Sequence, residues 1–324
     1  MSDTVTAPAH NRLEHFPVTF FAIAMGMSGL TLALHAFERA HALVDTLSTI
    51  ALIATAAIFL VTLAFYAAKA LIYPAALRAE WAHPVRLAFF PAISISILLI
   101  ATAMLGHNLA IARGLWLVGA GLQIVLTIAV VSSWIGTRSF LHGTLSPAWF
   151  IPAVGNVIAP IAGAQLGYVE LSWYFMSIGL VFYIVLLTLV MNRLIFHDPL
   201  PGKLQPTLVI LIAPPAVAFV AWVTLMGDVD ALARILLNTA YFFVLVVSLQ
   251  MPKILRLPFA LSIWALSFPI AAATIASFRF TALMDSAAHL WIGRALMAVL
   301  VVVIAALVWR TLRAIRAGAV CVPE

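Results

Sequence analysis

The sequence predicts an all-α integral membrane protein, and two observations carry that prediction. Apolar residues make up 65% of the 324 and charged residues only 9%, whereas a soluble domain is about half apolar and about a quarter charged. The apolar stretches are also long and lack period-two alternation, which suits helices crossing a bilayer rather than barrel strands. The N-terminal stretch through Phe16 is polar, with Asp3, His10, Arg12, Glu14 and His15. The apolar run after it is long enough to span, so it is not a cleavable signal. A lone cysteine, Cys321, excludes an intrachain disulfide. The net charge of +6 does not point to nucleic acid, because the basic residues lie beside apolar runs, where they set topology.

Ten helices follow, over 16–37, 44–72, 88–106, 111–135, 148–166, 172–195, 206–226, 230–250, 258–279 and 285–314. Each is near or above the ~20 residues a bilayer requires. The first contains Gly26 and Gly29, and the third carries Pro91. The fifth opens at Ser146-Pro147, a cap followed by a first-turn proline. The seventh carries Pro214 and Pro215, Asp228 and Asp230 cap the eighth, and the ninth contains Phe268-Pro269. The joining segments are short, so neighbours in sequence are antiparallel and the whole of 1–324 is one transmembrane unit.

Basic residues orient it. One side holds Arg12, Lys69, Arg78, Arg86, Arg138, Arg193, Lys203, Lys253, Arg256, Arg310, Arg313 and Arg316; the other holds Arg39, Arg113, Arg234, Arg279 and Arg294. Twelve against five puts both termini in the cytoplasm.

The interior prolines obey a rule. Pro91, Pro152, Pro160, Pro214, Pro215 and Pro269 fall in the third, fifth, seventh and ninth helices, and the even-numbered helices contain none. The pattern describes five hairpins, roughly 16–72, 88–135, 148–195, 206–250 and 258–314, each with one breakable and one regular helix. Broken backbone at membrane depth is tolerated where it is buried in protein or lines a watery cavity. The expected plan is therefore an inner ring of five kinked odd helices around a pore, inside five even ones. Proline is in any case commoner in membrane helices than in soluble ones.

The spans are nearly free of charge. Glu38, Asp45, Glu170, Asp198, Asp228, Asp230 and Asp285 fall at or near helix ends, and His35 and His41 lie at a membrane edge, where they are expected to be solvated. No histidine–carboxylate cluster has metal-ligand spacing within a span, so no metal and no cofactor are expected. A nucleophile and base at one depth are also missing, which argues against an enzyme. The odd helices hold only small, mildly polar residues: Gly26, Ser28, Ser94, Ser96, Asn156, Ser267 and Thr274. Such a lining binds weakly, as fast conduction requires, and positive helix ends favour anions. Taken singly, each hydroxyl more often bonds back to its own helix. Asn156 is the strongest candidate, since its amide needs a partner or water.

Several segments, in order, resemble one family: "FFAIAMGMSGL" (Phe20 to Leu30), "RAEWAHPVRLAFFP" (Arg78 to Pro91), "SPAWFIPAVGN" (Ser146 to Asn156), "LIAPPAVA" (Leu211 to Ala218), "GDVDALARIL" (Gly227 to Leu236) and "WALSFP" (Trp264 to Pro269). The family is the tellurite-resistance/dicarboxylate transporters, whose members include bacterial TehA and the plant slow-type anion channels. The resemblance implies a homotrimer in the bacterial inner membrane, each protomer with its own pore for small anions. It implies that Phe268 closes that pore near mid-membrane. It also implies lining by Phe21, Ala22 and Gly26, and by residues around Pro91, Pro152 and Pro214, with Pro269 beside the gate. Some relatives have proline where this chain has Ala24, so the first helix is expected to kink less. Two activities fit: an anion channel or channel-like exporter, and a coupled carrier for C4-dicarboxylates or oxyanions such as tellurite or sulfite. The absence of a cation inside the spans ranks the carrier second.

Overall fold

The computed structural model describes residues 11–137 and 140–322. Asp3, His10 and Arg138, used in the charge reading, lie outside the described residues. Those described form helices and no strands. The spans, in order, are α1 (Val18–Ala40), α2 (Thr46–Ile72), α3 (Arg86–Met104), α4 (Leu109–Gly136), α5 (Pro147–Gly163), α6 (Val169–Phe196), α7 (Gly202–Met226), α8 (Ala231–Ser248), α9 (Leu261–Met284) and α10 (Ala287–Arg316).

Nine of these are long and apolar enough to cross a membrane; α5 is apolar but shorter. This corrects the expectation of ten comparable spans. Helix α5 is built in pieces, with 3₁₀ turns at Pro147–Trp149 and Gly155–Ile158 and α segments at Phe150–Val154 and Ala159–Gly163. Pro147, Pro152 and Pro160 each remove a backbone donor. A 3₁₀ turn also rises ~2.0 Å per residue against ~1.5 Å in an α-helix, so fewer residues cover the same height.

Burial alternates along the chain. In α1, α3, α7 and α9 the apolar stretch is 61% to 89% buried, and in α2, α4, α6, α8 and α10 it is 28% to 33% buried. All of α5 except Ile161 is buried. The odd helices pack in a closed circuit: α1 on α3, α3 on α5, α5 on α7, α7 on α9 and α9 back on α1. Each even helix leans on the odd helix before it and on the next one round. Outward faces present residues such as Leu60, Val181, Leu245 and Val302, which suits a hydrocarbon surround.

The odd helices share a backbone plan. Each starts with a 3₁₀ segment and continues as an α-helix: Val18–Phe20 before Phe21–Ala40, Arg86–Phe89 before Ala92–Met104, Gly202–Ile212 before Ala213–Met226, and Leu261–Leu266 before Ser267–Met284. The prolines stand at the joints. Pro91 caps the α segment of α3, while Pro160 and Pro214 fall at the first or second α position. The first α turn has unpaired N–H groups in any case, so a proline costs least there. Upstream of the joint the chain closes i→i+3 bonds instead. In α7 that stretch is eleven residues long, well beyond the usual three or four.

Gly26 and Gly29 do not break α1. They let α9 approach: a Cβ on Gly26 would lie 2.1 Å from Ser267 Oγ, and one on Gly29 would lie 2.9 Å from Ala271 Cβ and 3.2 Å from Phe268 Cδ2. Small residues at such a seam allow close helix packing in membranes.

Charge and capping also differ from expectation. Asp230 caps α8 by accepting from Ala233 N at 2.8 Å, and its carboxylate also accepts from Trp222 Nε1 at 3.0 Å. Ser146 occupies the cap position of α5 without bonding to it, and its buried Oγ has no partner among the described residues. The start of α2 is served from α1, because buried Glu38 accepts from Leu47 N at 2.7 Å and from Ser48 N at 3.3 Å. Lys69 is no loop-side cation. It is buried, and its Nζ donates to Glu80 Oε2 and to Phe16 O, both at 2.8 Å. Tyr66 OH donates to Glu80 Oε2 at 3.0 Å and Val18 N to Oε1 at 2.7 Å. The connecting helix Pro74–Ala82 folds Glu80 back under the bundle, so this carboxylate anchors the start of α1.

Candidate functional site

Two cavities lie inside the circuit of odd helices, and both take wall residues from all five. The first, about 50 Å³, adjoins the 3₁₀–α joints; Met25, Ile95, Gly155, Pro214 and Phe268 are among its walls. The second, about 130 Å³, lies toward the C-terminal ends of the odd helices and is bounded by Leu32, Leu99, Ile161, Val220 and Ile275, with others. Phe268 and Val217 belong to both linings. The two cavities are thus neighbours, and the Phe268 ring that they share is itself almost fully buried.

The sequence explains how Phe268 comes to stand there. Ser267 begins the α segment of α9 after six residues of 3₁₀-helix, and Pro269 follows in the first turn. The register change aims Phe268 inward, and Gly29 of α1 leaves room beside the ring. Along α9 the wall residues Ala265, Phe268, Ala272 and Ile275 form one helical stripe.

Of the residues expected to line a pore, the structure brings Phe268, Pro214 and Pro269 to these walls. The others are not among the residues lining either cavity. Phe21 packs its ring against Phe59 and Tyr66 at 5.9 and 5.5 Å, facing α2. Ala22 is buried. Gly26 and Ser267 meet at the α1–α9 seam, and Ser267 Oγ donates to Trp264 O at 2.6 Å. Pro91 sits at its joint, and its carbonyl accepts from Ser94 Oγ at 2.9 Å. Ser94 also bonds to Gln123 Oε1 at 2.6 Å, toward α4. Thr274 Oγ1 donates to Ile270 O at 2.8 Å, and Ser28 and Ser96 bond back along their helices in the same way.

Asn156 also turns to α4. Its Nδ2 donates to Ala153 O at 2.7 Å and to Thr127 Oγ1 at 3.0 Å, while Gln123 Nε2 and Thr127 Oγ1 donate to Pro152 O at 3.3 and 2.9 Å. The proline-disturbed backbone of α5 is thus satisfied by side chains of an outer helix, as broken membrane helices require. Asn156 Oδ1 has no partner among the described residues.

The walls are almost wholly apolar. Among the lining residues only Thr102 and His35 carry a polar side-chain group, both in the larger cavity. His35 is therefore not simply a solvated edge residue: it is partly exposed, with Nδ1 3.4 Å from Asp45 Oδ1. His41 is likewise engaged, its Nε2 accepting from Arg294 Nε at 2.9 Å. His35, Glu38 and Asp45 gather their side-chain nitrogen and oxygens within 4.8 Å of one another. Capping of α2 by Glu38 and the His35–Asp45 pair account for that arrangement.

Sequence reading missed Met25, Ile95, Val217 and His35 as wall residues. The available signal was the stripe through Phe268 on α9 and its equivalents at Ile95, Leu99 and Thr102 on α3 and at Pro214 and Val217 on α7.

Comparison with known proteins gives one family and a set of distant relatives. The sequence profile described as "Voltage-dependent anion channel" matches residues 15–312. The S-type anion channel SLAH3 of Arabidopsis thaliana is 28% identical over 232 residues, 71% of this chain and 36% of the relative. The guard cell S-type anion channel SLAC1 of the same plant is 25% identical over 278 residues, 83% of this chain and 50% of the relative. The tellurite resistance protein TehA homolog of Haemophilus influenzae is 28% identical over 258 residues, 79% of this chain and 78% of the relative. The chain spans half or less of the length of these two plant channels.

Proposed function

The chain belongs to the SLAC1/TehA family of voltage-dependent anion channel proteins, and from that membership and the divided axis we propose that it is an anion channel or channel-like exporter. Small anions pass along the axis of the five odd helices, and the Phe268 ring gates the passage. The observation that carries this reading is the pair of cavities, each walled by all five odd helices and both lined by Phe268. An apolar constriction excludes water and blocks an ion without a fixed charge. Moving one ring aside joins the chambers. Walls without fixed charge bind weakly, so an ion leaves as easily as it arrives. The names of the relatives, S-type anion channels and a tellurite resistance protein homolog, agree with an anionic cargo and with transport rather than enzymatic chemistry.

The five odd–even hairpins are the repeating units of this pore, consistent with the alternating burial. The protein sits in the bacterial inner membrane, its outward apolar faces against lipid. The excess of arginine and lysine on one side supports cytoplasmic termini. The homotrimer rests on the family resemblance, each protomer keeping its own path.

Reconstitution tests the gate. Chloride and nitrate flux is measured in proteoliposomes for the parent and for Phe268→Ala. Removal of the ring is expected to raise flux more than about tenfold. Equal flux in the two proteins removes Phe268 from the path. Saturable, proton-driven uptake of a dicarboxylate or oxyanion, without conductance, assigns the coupled carrier instead.

A further inference from the structure

We infer that His35 makes the larger cavity an anion-binding vestibule that is switched on by protonation. The inference rests on the reading of the axis as an anion path and adds a site to it. Every wall residue of the smaller cavity is apolar. In the larger one, Thr102 commits its hydroxyl hydrogen to Leu98 O at 2.8 Å and faces an incoming ion with lone pairs only. His35 is thus the one ionisable group among the lining residues of either cavity. Histidine is also the side chain whose charge ordinarily changes between pH 5 and 8.

The neighbours set the sign. From the start of α2, Asp45 presents a carboxylate oxygen 3.4 Å from His35 Nδ1. On α1 itself, buried Glu38 is taken up by the amides of Leu47 and Ser48, and Arg39 is exposed. Helix α3 contributes Thr102, α5 Ile161, α7 Val217 and Val220, and α9 Ala272 and Ile275, none of them charged. Arg294 of α10 is directed to His41, six residues further along α1. With His35 neutral, the charges beside the vestibule are those of Asp45 and Glu38, each with a carboxylate oxygen within 4.8 Å of the ring, and they repel an anion. Protonation offsets one of the two and turns both ring nitrogens into donors. The two effects act together: acid on this side favours the anion and alkali disfavours it. The ligand class is a small monovalent anion such as chloride, bromide or nitrate, held by one charge-assisted hydrogen bond.

The test uses the full chain in planar bilayers on the Phe268→Ala background, which separates the vestibule from the gate. Chloride conductance is followed while the pH on the vestibule side is lowered from 8 to 5.5. It is expected to rise at least about fivefold over the range in which a histidine gains its charge. Adding His35→Gln should flatten the profile at the alkaline level, and adding His35→Arg should hold it at the acid level. A Gln variant that titrates like its parent overturns the inference, as does a profile abolished by a chelator, which assigns the cluster to a metal cation. Crystals soaked in bromide give a readout independent of conductance. An anomalous peak beside His35 at pH 5.5 and not at pH 8 supports the site, and its absence at both overturns it. If bromide binds but Phe268→Ala passes no chloride, the site stands and the channel reading fails.

Discussion

The odd and even helices are built from nearly the same residues and solve opposite problems. An even helix such as α4 is regular for most of its length, faces lipid on one side and satisfies its backbone internally. An odd helix such as α7 begins as a long 3₁₀ segment, carries two adjacent prolines and is buried nearly all round. The difference shows where irregular backbone is affordable in a membrane: only where other helices cover it and lend it donors, as Gln123 and Thr127 of α4 do for Pro152. It also shows that charge is kept off the axis. The buried ion pair, Lys69 with Glu80, lies between an outer helix and a connecting helix, and no lysine, arginine or carboxylate lines either cavity.

Four substitutions break or sharpen that comparison. The largest effect is expected from Lys69→Met, which strands Glu80 as a buried charge beside the start of α1. Stability in reversible unfolding from mixed micelles should fall by about 3–5 kcal/mol, and the double variant Lys69→Met/Glu80→Gln should recover most of it. Next comes Gly26→Ala, because its Cβ would overlap Ser267 Oγ. Overpacking at the α1–α9 seam should cost about 1–3 kcal/mol, read as a lower Tm in detergent. Asp230→Ala removes the cap of α8 and the Trp222 bond together. A loss of about 1 kcal/mol is expected, the usual worth of a cap, with a red-shifted tryptophan emission as its signature. The smallest effect belongs to Gly121→Ala on outward-facing α4, where a Cβ meets nothing within 4 Å. It should leave Tm unchanged or raise it slightly, since alanine is favoured over glycine in a helix by about 1 kcal/mol. If Gly121→Ala proved as damaging as Gly26→Ala, α4 would have to be covered by a further contact such as a second copy.

Much of the architecture was legible in the residues themselves. Long apolar runs located the spans, and prolines confined to alternate helices foretold which would be interior. Phe268 was singled out by the family resemblance, since a ring beside Pro269 is by itself more often packing than function. The fifth span was misjudged in length, because composition says nothing about how much of a helix winds as 3₁₀. Lys69 was misplaced for a related reason: a lysine near a span end is taken for a topological charge until a carboxylate eleven residues on is seen to fold back onto it.

Which residues face the axis was not legible, and the cause is physical. In water, a helix declares its inner face by being apolar there and polar elsewhere. In a bilayer the core and the surroundings are both apolar, so α9 needs no contrast between an apolar and a polar face and carries no such mark. Polarity then misleads, since Ser94, Ser267, Thr274 and the amide nitrogen of Asn156 bond to their own or adjacent helices. The sequence by itself determined the class, the number of apolar helices and the alternation of broken with regular ones, because each depends on local composition and on proline's missing donor. Tertiary packing alone decided that Phe268 lines both cavities and that His35 stands at the wall of one. Both depend on how five helices rotate about a common axis, and that rotation is set by close contacts such as Gly26 on Ser267 and Gly29 on Phe268.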